Sequence, residues 1–420
     1  MSMNQPNRLI WGSCFFCLIV TLAACTATNT EPAKELPGTE VRVSPAGRDA
    51  AEPAIAADYS GNILIAYVEH AGKTADLFMQ KCDSNGNAVG EPVRINPRAG
   101  EVKAWKGDPP SIAIGVDGTI FLGWTRSLPN ETARGNDLVL SVSKDGGKSF
   151  GKPVKINDDV KPASHGMHSI AVDNNGRIFA SWLDERNVKF EDHSGKAVGG
   201  AMHHEETEPN SQVYYSFSDD GGRTFAPNTK IASEVCPCCK TTVLSAADGN
   251  VYISWRQVLA DNYRHIAVAH SNDGGQTFSE GVVVSDDKWQ LNACPVAGAA
   301  LVSEASQTLS VLWFTAGNAG SPGLYTASST DGGKTFGART LVDDDANGGT
   351  PVLLSNGGKS TAVFAGMDEK ILSSSFESRA ALPIPIAEGS VPAAVYSNGK
   401  LITSFTRREN GKSGVWLIAG

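Results

Sequence analysis

The sequence has few of the features that would support a helical, membrane-spanning or nucleic-acid-binding protein. Segments with a helical period of apolar residues are hard to find along its 420 residues. Its long apolar run, residues 9–25, is short for a membrane span and is followed by polar sequence with proline. The formal net charge of −9 gives no support to a nucleic-acid partner. In contrast, the 44 glycines and 21 prolines suit many short strands joined by turns.

The first 24 residues have the pattern of an export signal. Arg8 precedes the apolar run, which ends in Leu22-Ala23-Ala24-Cys25. This ending resembles the bacterial lipoprotein box, in which the cysteine is lipidated and becomes the first mature residue. The alternative is an ordinary signal peptide with a chance cysteine. The resemblance implies an exported protein anchored through Cys25 to a bacterial membrane, in the periplasm or at the cell surface. Residues 25–38 would be a flexible tether.

Residues 39–420 are organised by a long repeat. Each copy is an apolar strand, a tight turn with Gly or Asn, and a second apolar strand that ends near an aromatic residue. We count seven copies, with the aromatic markers Tyr67, Trp124, Trp182, Trp255, Trp313, Phe364 and Phe405. A third and a fourth strand follow most copies. Four short strands per unit, repeated at intervals of roughly 40–75 residues, predict an all-β fold, a β-propeller of four-stranded blades.

The two ends of this region predict how the propeller closes. The last unit supplies a third strand, "SGVWLIA", and no fourth strand follows it. The segment "TEVRVSPAG" at 39–47 closely imitates the fourth strand "EPVRINPRAG" at 91–100. We therefore expect the N-terminal strand to complete the last blade, which leaves no long free sheet edge. The repeat count favours seven blades, and six is the alternative.

A shorter repeat contains a fixed aspartate, paired glycines and a closing phenylalanine. Its copies are "SKDGGKSF" at 143–150, "SDDGGRTF" at 218–225, "SNDGGQTF" at 271–278 and "STDGGKTF" at 329–336. Each lies between a third and a fourth strand, which predicts a hairpin turn. The aspartates can accept hydrogen bonds from backbone N–H groups and from Ser149, Thr224, Thr277 and Thr335, and the glycines supply positive φ. We interpret these segments, called the Asp-Gly-Gly turns below, as scaffold.

The same segments carry a family resemblance. The pattern Ser-x-Asp-Gly-Gly-x-Thr-Phe resembles the Asp-box, or bacterial neuraminidase repeat, and residues 39–420 resemble the sialidase-like propeller superfamily. The stretches around "CPCCKTTVLSAADGNVYISWR" and "WQLNACPVAGAAL" look like those of a bacterial sialidase-like lipoprotein subgroup. The resemblance implies the fold, and it implies activity only weakly because such turns also occur in propellers with unrelated functions. Sialidases themselves have six blades.

Polar and charged residues gather on the propeller face opposite these turns, where functional residues are expected. A sialidase uses three guanidinium groups to bind the carboxylate of sialic acid. The positional candidates are Arg126, Arg186, Arg256 and Arg407. The resemblance also implies an acid/base aspartate, for which the candidates are Asp184 and Asp108. It further implies a tyrosine nucleophile paired with a glutamate. The candidate tyrosine is Tyr263, and its partner would be Glu185 or Glu69. None of these matches a family motif, and the Phe/Tyr-Arg-Ile-Pro element is missing. The alternative is that the arginines cap strand ends and pair with neighbouring carboxylates.

The cysteines support a different hypothesis. Five remain after the signal and Cys25, and in an exported protein disulfides are the default. Cys236, Cys238 and Cys239 precede one blade and Cys294 the next, so a disulfide from this cluster to Cys294 is predicted, with Cys82 a buried bystander. The alternative is a copper(I) or zinc site formed by these cysteines with His165 and His168, or with His203 and His204. The usual paired CxxC spacing of zinc sites is absent.

These patterns lead to one main functional hypothesis and two alternatives. The main hypothesis is an exported lipoprotein that recognises a glycan or another anionic ligand at an arginine-lined face, with exo-sialidase-type hydrolysis as a further activity. It requires no cofactor. The alternatives are a non-catalytic interaction scaffold and metal or redox handling by the Cys/His cluster. The oligomeric state is left open.

Overall fold

The computed structural model describes residues 38–128, 135–188, 210–376 and 382–420, which form an all-β fold. Helical structure in these ranges is confined to two single-turn 3-10 helices, Ala260–Asn262 and Met367–Glu369. The described strands form antiparallel sheets that follow one another along the chain. Residues 1–24, Cys25 and nearly all of the proposed tether lie outside the described residues.

The first sheet is a meander of consecutive strands, and the second differs from this order only at its start. The first contains β2 (Ala50–Ala57), β3 (Ile63–Ala71), β4 (Thr74–Cys82) and β5 (Val93–Arg94). The second contains β6 (Val102–Lys103), β7 (Ser111–Ile114), β8 (Ile120–Ser127), β9 (Asn136–Ser143) and β10 (Val154–Lys155). In the second sheet both β6 and β7 pair with β8.

The third sheet has eight strands because one residue pair joins two groups of four. The first group is β11 (His165–Val172), β12 (Ile178–Asp184), β13 (Ser211–Ser218) and β14 (Thr229–Val235). The second group is β15 (Thr242–Ser245), β16 (Val251–Val258), β17 (Arg264–Ser271) and β18 (Val282–Val283). The connection is the pairing of Val235 in β14 with Gln257 in β16.

Three four-stranded sheets complete the fold. One is β19 (Ala299–Val302), β20 (Leu309–Thr315), β21 (Gly323–Ser329) and β22 (Thr340–Asp343). The next is β23 (Val352–Asn356), β24 (Lys359–Ala365), β25 (Lys370–Ser375) and β26 (Ile384–Glu388). The last is β27 (Ser390–Ser397), β28 (Lys400–Glu409) and β29 (Lys412–Ala419), with β1 (Glu40–Arg42) paired to β29. The predicted pairing of the N-terminal strand with the last unit is therefore present.

The second and third strands of the four-stranded groups carry most of the buried residues. The seven aromatic markers all lie on the second strands and are at most 2% exposed. Strands covered on both faces read as nearly continuous apolar runs, which is why the sequence indicated them so clearly. The hydrophobic clusters lie between successive sheets, as where Leu64 of β3 packs in one cluster with Leu122 of β8. One cluster also joins the first and last sheets through Ile63 of β3 and Ile402 of β28.

The Asp-Gly-Gly turns have the predicted geometry. In the turn after β13, the Asp220 carboxylate accepts hydrogen bonds from the Thr224 hydroxyl at 2.7 Å and from the Ser218 hydroxyl at 2.9 Å. The buried Ser218 oxygen also accepts the Gly222 N–H at 3.0 Å. Equivalent hydroxyl-to-carboxylate bonds occur in the other three turns, at Asp145, Asp273 and Asp331.

These turns also join neighbouring sheets. Gly222 has a φ of +81°, and a Cβ there would lie 2.6 Å from the Leu140 side chain of the preceding sheet. Only glycine satisfies both the backbone angle and this close approach. Phe225 packs into the cluster between the same two sheets. The turns are therefore scaffold that holds adjacent sheets together.

Candidate functional site

Most of the candidate residues lie at the sheet ends opposite the Asp-Gly-Gly turns. In a four-stranded antiparallel meander, the first-to-second and third-to-fourth turns share one end of the sheet. Arg126 lies near the C-terminal end of β8, Arg186 just after β12, and Cys236 just after β14. These candidates therefore lie at the end of each sheet opposite the Asp-Gly-Gly turns.

Arg126 and Arg186 are held by carboxylates. Arg186 contacts Asp184 at 2.8 Å and Asp158 at 2.6 Å, and its guanidinium lies 4.2 Å from the centre of the Tyr214 ring. Arg126 pairs with Asp137 at 3.3 Å. These contacts match the alternative interpretation, in which the arginines pair with carboxylates of the scaffold.

The other two arginines also have scaffold partners. Arg256 is 1% exposed and donates to the backbone oxygens of Ala297 and Phe314 at 2.9 Å each. Arg407 of β28 makes a bidentate pair with Glu40 of β1, at 2.6 and 2.7 Å. Its guanidinium therefore connects the two strands on either side of β29. Sequence position alone could not separate these roles from ligand binding, because it does not show what surrounds a guanidinium group.

The predicted acid and nucleophile residues are dispersed. Asp184 is fully buried and accepts the Trp182 indole N–H at 2.8 Å. Tyr263 is half-buried at the start of β17, with its ring 6.1 Å from that of His265. Glu185 is half-buried and faces a separate cleft. No hydrogen bond among the described residues joins a tyrosine hydroxyl to a glutamate. Tyr67, which lies near Glu69, is fully buried.

That cleft, which we call the Trp105 cleft, has a volume of about 430 Å³. Its wall includes Trp105, Asp108, Asn136, His165 and Glu185. The Trp105 side chain is placed by a tight turn, in which the Asp108 N–H donates to the Trp105 carbonyl at 2.7 Å. Trp105 is also 40% exposed, which is unusual for a large aromatic side chain.

Gly107 leaves room for the Trp105 indole in this cleft. A Cβ at Gly107 would lie 2.6 Å from the Trp105 ring. Next to it, Asp108 is buried and accepts the His168 ring Nδ1 at 2.9 Å. Burial opposes ionisation of this carboxyl, but the charge and hydrogen bonds of His168 hold its pKa below the ordinary value. Asp108 is therefore an ionised, internally satisfied wall of the cleft.

A larger cavity, which we call the central cavity, has a volume of about 620 Å³ and borders the first strands of several sheets. Prolines at or just before these strands line it, namely Pro53, Pro110, Pro295, Pro351 and Pro392. The recurring proline is visible in the sequence and is a signal by which this cavity could be found. Cys294 and two lysines, Lys106 and Lys240, supply its reactive and charged groups.

Strained backbone surrounds the central cavity. Glu52, Val296 and Val391 have positive φ angles of 53°, 52° and 50°. Such angles are outliers for bulky residues and are costly, so the surrounding structure must impose them. The register of β2 against β3 shifts between Ala51 and Ala54, which is the signature of a β-bulge. Sequence periodicity could not reveal these bulges, which cluster at the cavity wall.

Lys240 is the charged group most enclosed by this cavity. Its ammonium donates to the Pro109 carbonyl at 3.4 Å. Burial lowers the pKa of Lys240 to about 8, and the nearby Asp108 carboxylate opposes this effect. An enclosed ammonium with one long hydrogen bond retains donors for another partner.

The predicted cysteine cluster is present, with its sulfur atoms close together. The Cys236 Sγ lies 3.7 Å from the Cys238 Sγ and 3.3 Å from the Cys239 Sγ. Hydrogen bonds from the Cys238 and Cys239 thiols lower the pKa of Cys236, against the effect of burial. A hydrogen bond with Cys238 lowers the pKa of Cys294 to about 7. Among the described residues, the sulfurs of Cys236, Cys238 and Cys239 form the compact group, all within 4.8 Å of one another, and Cys294 lies beside this group next to Cys238.

The five cysteines among the described residues form no disulfide. Cys82, Cys236, Cys238, Cys239 and Cys294 are all free, so the predicted bridge to Cys294 is not formed. Cys82 is buried in β4, away from the cluster, as expected.

The histidines proposed as further metal ligands do not join the cysteine sulfurs within the described residues. His165 lies 3.1 Å from Asp159, and His168 is engaged by Asp108. Among the described residues, the potential metal ligands that lie close enough together to share one ion are all cysteines, namely Cys236, Cys238 and Cys239. His203 and His204 lie outside the described residues.

Comparison with known proteins gives a likeness of fold. No protein-family model and no curated protein matches the chain. A solved protein of unknown function from Dyadobacter fermentans is 16% identical, with a TM-score of 0.52, over 91% of this chain and 98% of that one. A Hadza microbial sialidase is 12% identical, with a TM-score of 0.50, over 91% and 95% of the two chains.

A third similar structure is a sialidase of Trypanosoma rangeli, solved with 2,3-difluorosialic acid as a covalent intermediate. It is 12% identical, with a TM-score of 0.50, over 88% of this chain and 53% of that one. At these identities the likeness shows a sialidase-like fold and nothing about activity. Within the described residues, no helix is both long and apolar enough to span a membrane.

Proposed function

We propose that this protein is an exported, lipid-anchored binding protein whose sialidase-like propeller recognises an acidic sugar or another anionic ligand in the central cavity. The observation that carries the proposal is the Lys240 ammonium, enclosed in a cavity of about 620 Å³ with one long hydrogen bond. A compact ammonium is a point charge that can bind a carboxylate, although without the bidentate geometry of arginine.

The neighbouring Trp105 cleft supports a sugar as the ligand. Residues 103–112 contribute to both spaces, since Trp105 lines the cleft and Lys106 lines the cavity. An exposed indole offers a flat apolar face, and His165 and Asn136 beside it offer hydrogen-bonding groups. A ligand with an apolar ring face, hydroxyls and a carboxylate matches this set.

The arrangement favours recognition over hydrolysis. The four predicted arginines are bound to the scaffold, and none of them lines the cavity or the cleft among the described residues. Of the residues proposed for acid/base or nucleophilic roles, Asp108 and Glu185 line the cleft, whereas Tyr263 does not. Glycoside hydrolysis is therefore a separate property that the experiment must test.

The proposal includes a seven-bladed ring. Its support is the pairing of β1 with β29 and the cluster shared by the first and last sheets. Counting the eight-stranded sheet as two groups of four gives seven groups around a central cavity. Export and anchoring through Cys25 rest on the N-terminal sequence pattern.

Calorimetric titration with N-acetylneuraminic acid tests the proposal. We expect measurable binding to the full mature chain and a loss of about tenfold or more for Lys240→Met, since removing a charged hydrogen-bond donor costs roughly 1.5–3 kcal/mol. Lys148→Met, at an exposed Asp-Gly-Gly turn, is the matched control and should bind like the unmodified protein. Equal affinity in the two variants, or no binding at all, would exclude this ligand site.

Hydrolysis is tested on the same samples with a fluorogenic sialoside. No release of the fluorophore beside retained binding would agree with a recognition protein. If the unmodified protein releases the fluorophore and Glu185→Gln does not, the protein is a hydrolase that acts at the Trp105 cleft, and the recognition proposal is wrong.

A further inference from the structure

We propose that Cys236, Cys238 and Cys239, completed by Cys294, bind a thiophilic d10 cation, Cu(I) or Zn²⁺. This inference does not rest on the anionic ligand, because the three buried cysteines lie outside the lining of the central cavity, to which only Cys294 contributes. Three thiols that meet in one place have the ligand chemistry that selects these ions.

The distances between the sulfur atoms match a metal site. A tetrahedral zinc ion with Zn–S bonds of about 2.3 Å places its sulfurs roughly 3.8 Å apart. The Cys236–Cys238 separation is 3.7 Å and the Cys236–Cys239 separation is 3.3 Å, and all three sulfurs lie within 4.8 Å of one another. Small adjustments would therefore place the three sulfurs around one ion.

The local backbone explains why these sulfurs converge. Cys236 directly follows β14, and its N–H donates to the Arg256 carbonyl at 2.9 Å. Pro237 then fixes the backbone of a turn, and the chain is fastened again where the Thr241 N–H donates to the Met167 carbonyl at 2.9 Å. Residues i, i+2 and i+3 are thereby held on one side of a short, anchored turn.

The surrounding charge provides an independent argument. Arg264, at the start of β17, is 8% exposed, and its Nε and Nη1 atoms have no hydrogen-bond partner in the part of the chain that the structure describes. Its positive charge acts on the sulfurs of Cys236 and Cys294. An unpaired buried cation is costly. A thiolate–metal centre, which carries net negative charge with three or four cysteines, would compensate this guanidinium.

Cys294 distinguishes the two ions. It is exposed at the central cavity, whereas the other three cysteines are buried. Cu(I) can be held by the three buried thiolates alone, whereas Zn²⁺ in a structural site needs a fourth ligand. We therefore expect Cys294→Ser to leave Cu(I) affinity almost unchanged and to weaken Zn²⁺ affinity if zinc is the ion.

The experiment uses the mature full chain, purified anaerobically, with bound metal and free thiols counted on one sample. Competition against chromophoric Cu(I) and Zn²⁺ chelators should show one metal ion bound per chain. Cys238→Ser should lower the affinity for that ion roughly 100-fold or more. Cys82→Ser, a change at a buried cysteine in β4, is the matched control and should bind normally. Arg264→Gln should lower affinity roughly tenfold, as loss of a supporting charge does.

Two outcomes would overturn the proposal. One is that neither ion binds more tightly to the unmodified protein than to Cys238→Ser, with circular dichroism showing both folded. The other is that the four thiols react with Ellman's reagent only after reduction, which would identify the cluster as disulfides. Failure of sialic acid binding would leave these readouts unchanged, so the two proposals fail separately.

Discussion

At the scale of single residues, the Asp-Gly-Gly turns show how a short pattern specifies a structure. The serine that begins each turn both accepts a backbone N–H and donates to the aspartate, as Ser218 does with Gly222 and Asp220. All of these partners lie within a few residues of one another. The sequence could therefore predict the turn, because its determinants are local.

Two buried serines allow this contribution to be measured. Ser218 has both hydrogen-bond partners, whereas Ser254 is buried and its hydroxyl has no partner among the described residues. Ser218→Ala should lower the free energy of unfolding by about 1–3 kcal/mol, because the buried Gly222 N–H loses its acceptor. Ser254→Ala should be nearly neutral. Equal losses in denaturant titrations would show that serine burial, and not the turn network, determines the cost.

The arginines show the opposite case at the same scale. Arg256 follows a marker aromatic on a second strand, where a ligand-binding arginine could also lie. In the structure its donors are taken by the carbonyls of Ala297 and Phe314, which come from elsewhere in the chain. Non-local partners of this kind leave no pattern around the arginine itself. The role of such a residue could not be predicted.

At the scale of elements, the second strands and their aromatic markers could be predicted and the bulges could not. Apolar runs bounded by glycine turns indicate strands directly. The positive φ at Glu52 and Val391 arises where first strands meet around the central cavity, so tertiary packing determines it. The cysteine cluster falls between these cases. The sequence could predict that these cysteines lie near one another, because they precede two neighbouring blades. It could not predict that their thiols are free.

The contact between β1 and β28 predicts a measurable coupling energy. Arg407 and Glu40 form a bidentate pair with side chains about a fifth exposed, 21% and 22%. A double-mutant cycle with Arg407→Met and Glu40→Gln should give a coupling energy of about 1–2 kcal/mol, because the pair is partly shielded from water.

The control cycle uses Arg48 and Glu69, whose closest atoms are 3.9 Å apart and whose arginine is 67% exposed. Its coupling energy should be below about 0.5 kcal/mol. A coupling at Glu40 and Arg407 no larger than this would mean that the pair does not help to hold β1 on the last sheet.

At the scale of the whole molecule, the four turn aspartates make stability depend on acid. Hydrogen bonds from neighbouring hydroxyls hold the pKa of Asp145, Asp220, Asp273 and Asp331 below the ordinary value of about 3.9. The folded state thus binds these protons less readily than the unfolded chain. Their stabilisation is complete above the unfolded pKa and is lost as pH falls through the folded pKa.

We therefore expect the melting temperature to be insensitive to these groups above about pH 5 and to fall steeply below about pH 4. The double variant Asp145→Asn with Asp331→Asn should start from a lower melting temperature and show a shallower acid limb. Glu280→Gln, which removes an exposed carboxyl, should leave the limb unchanged. An acid limb equally steep in all three proteins would show that other carboxyls control it.

The pairing of β1 with β29 has a consequence for how the protein matures. Glu40 and Arg407 stand 367 residues apart, so the first strand has no sheet to join until the last has been synthesised. While the chain is being made, β1 would wait unpaired as each later sheet assembles on its predecessor. A premature stop anywhere upstream of Lys412 would then leave both an orphan strand and an open sheet edge, which invites capture by chaperones or proteases.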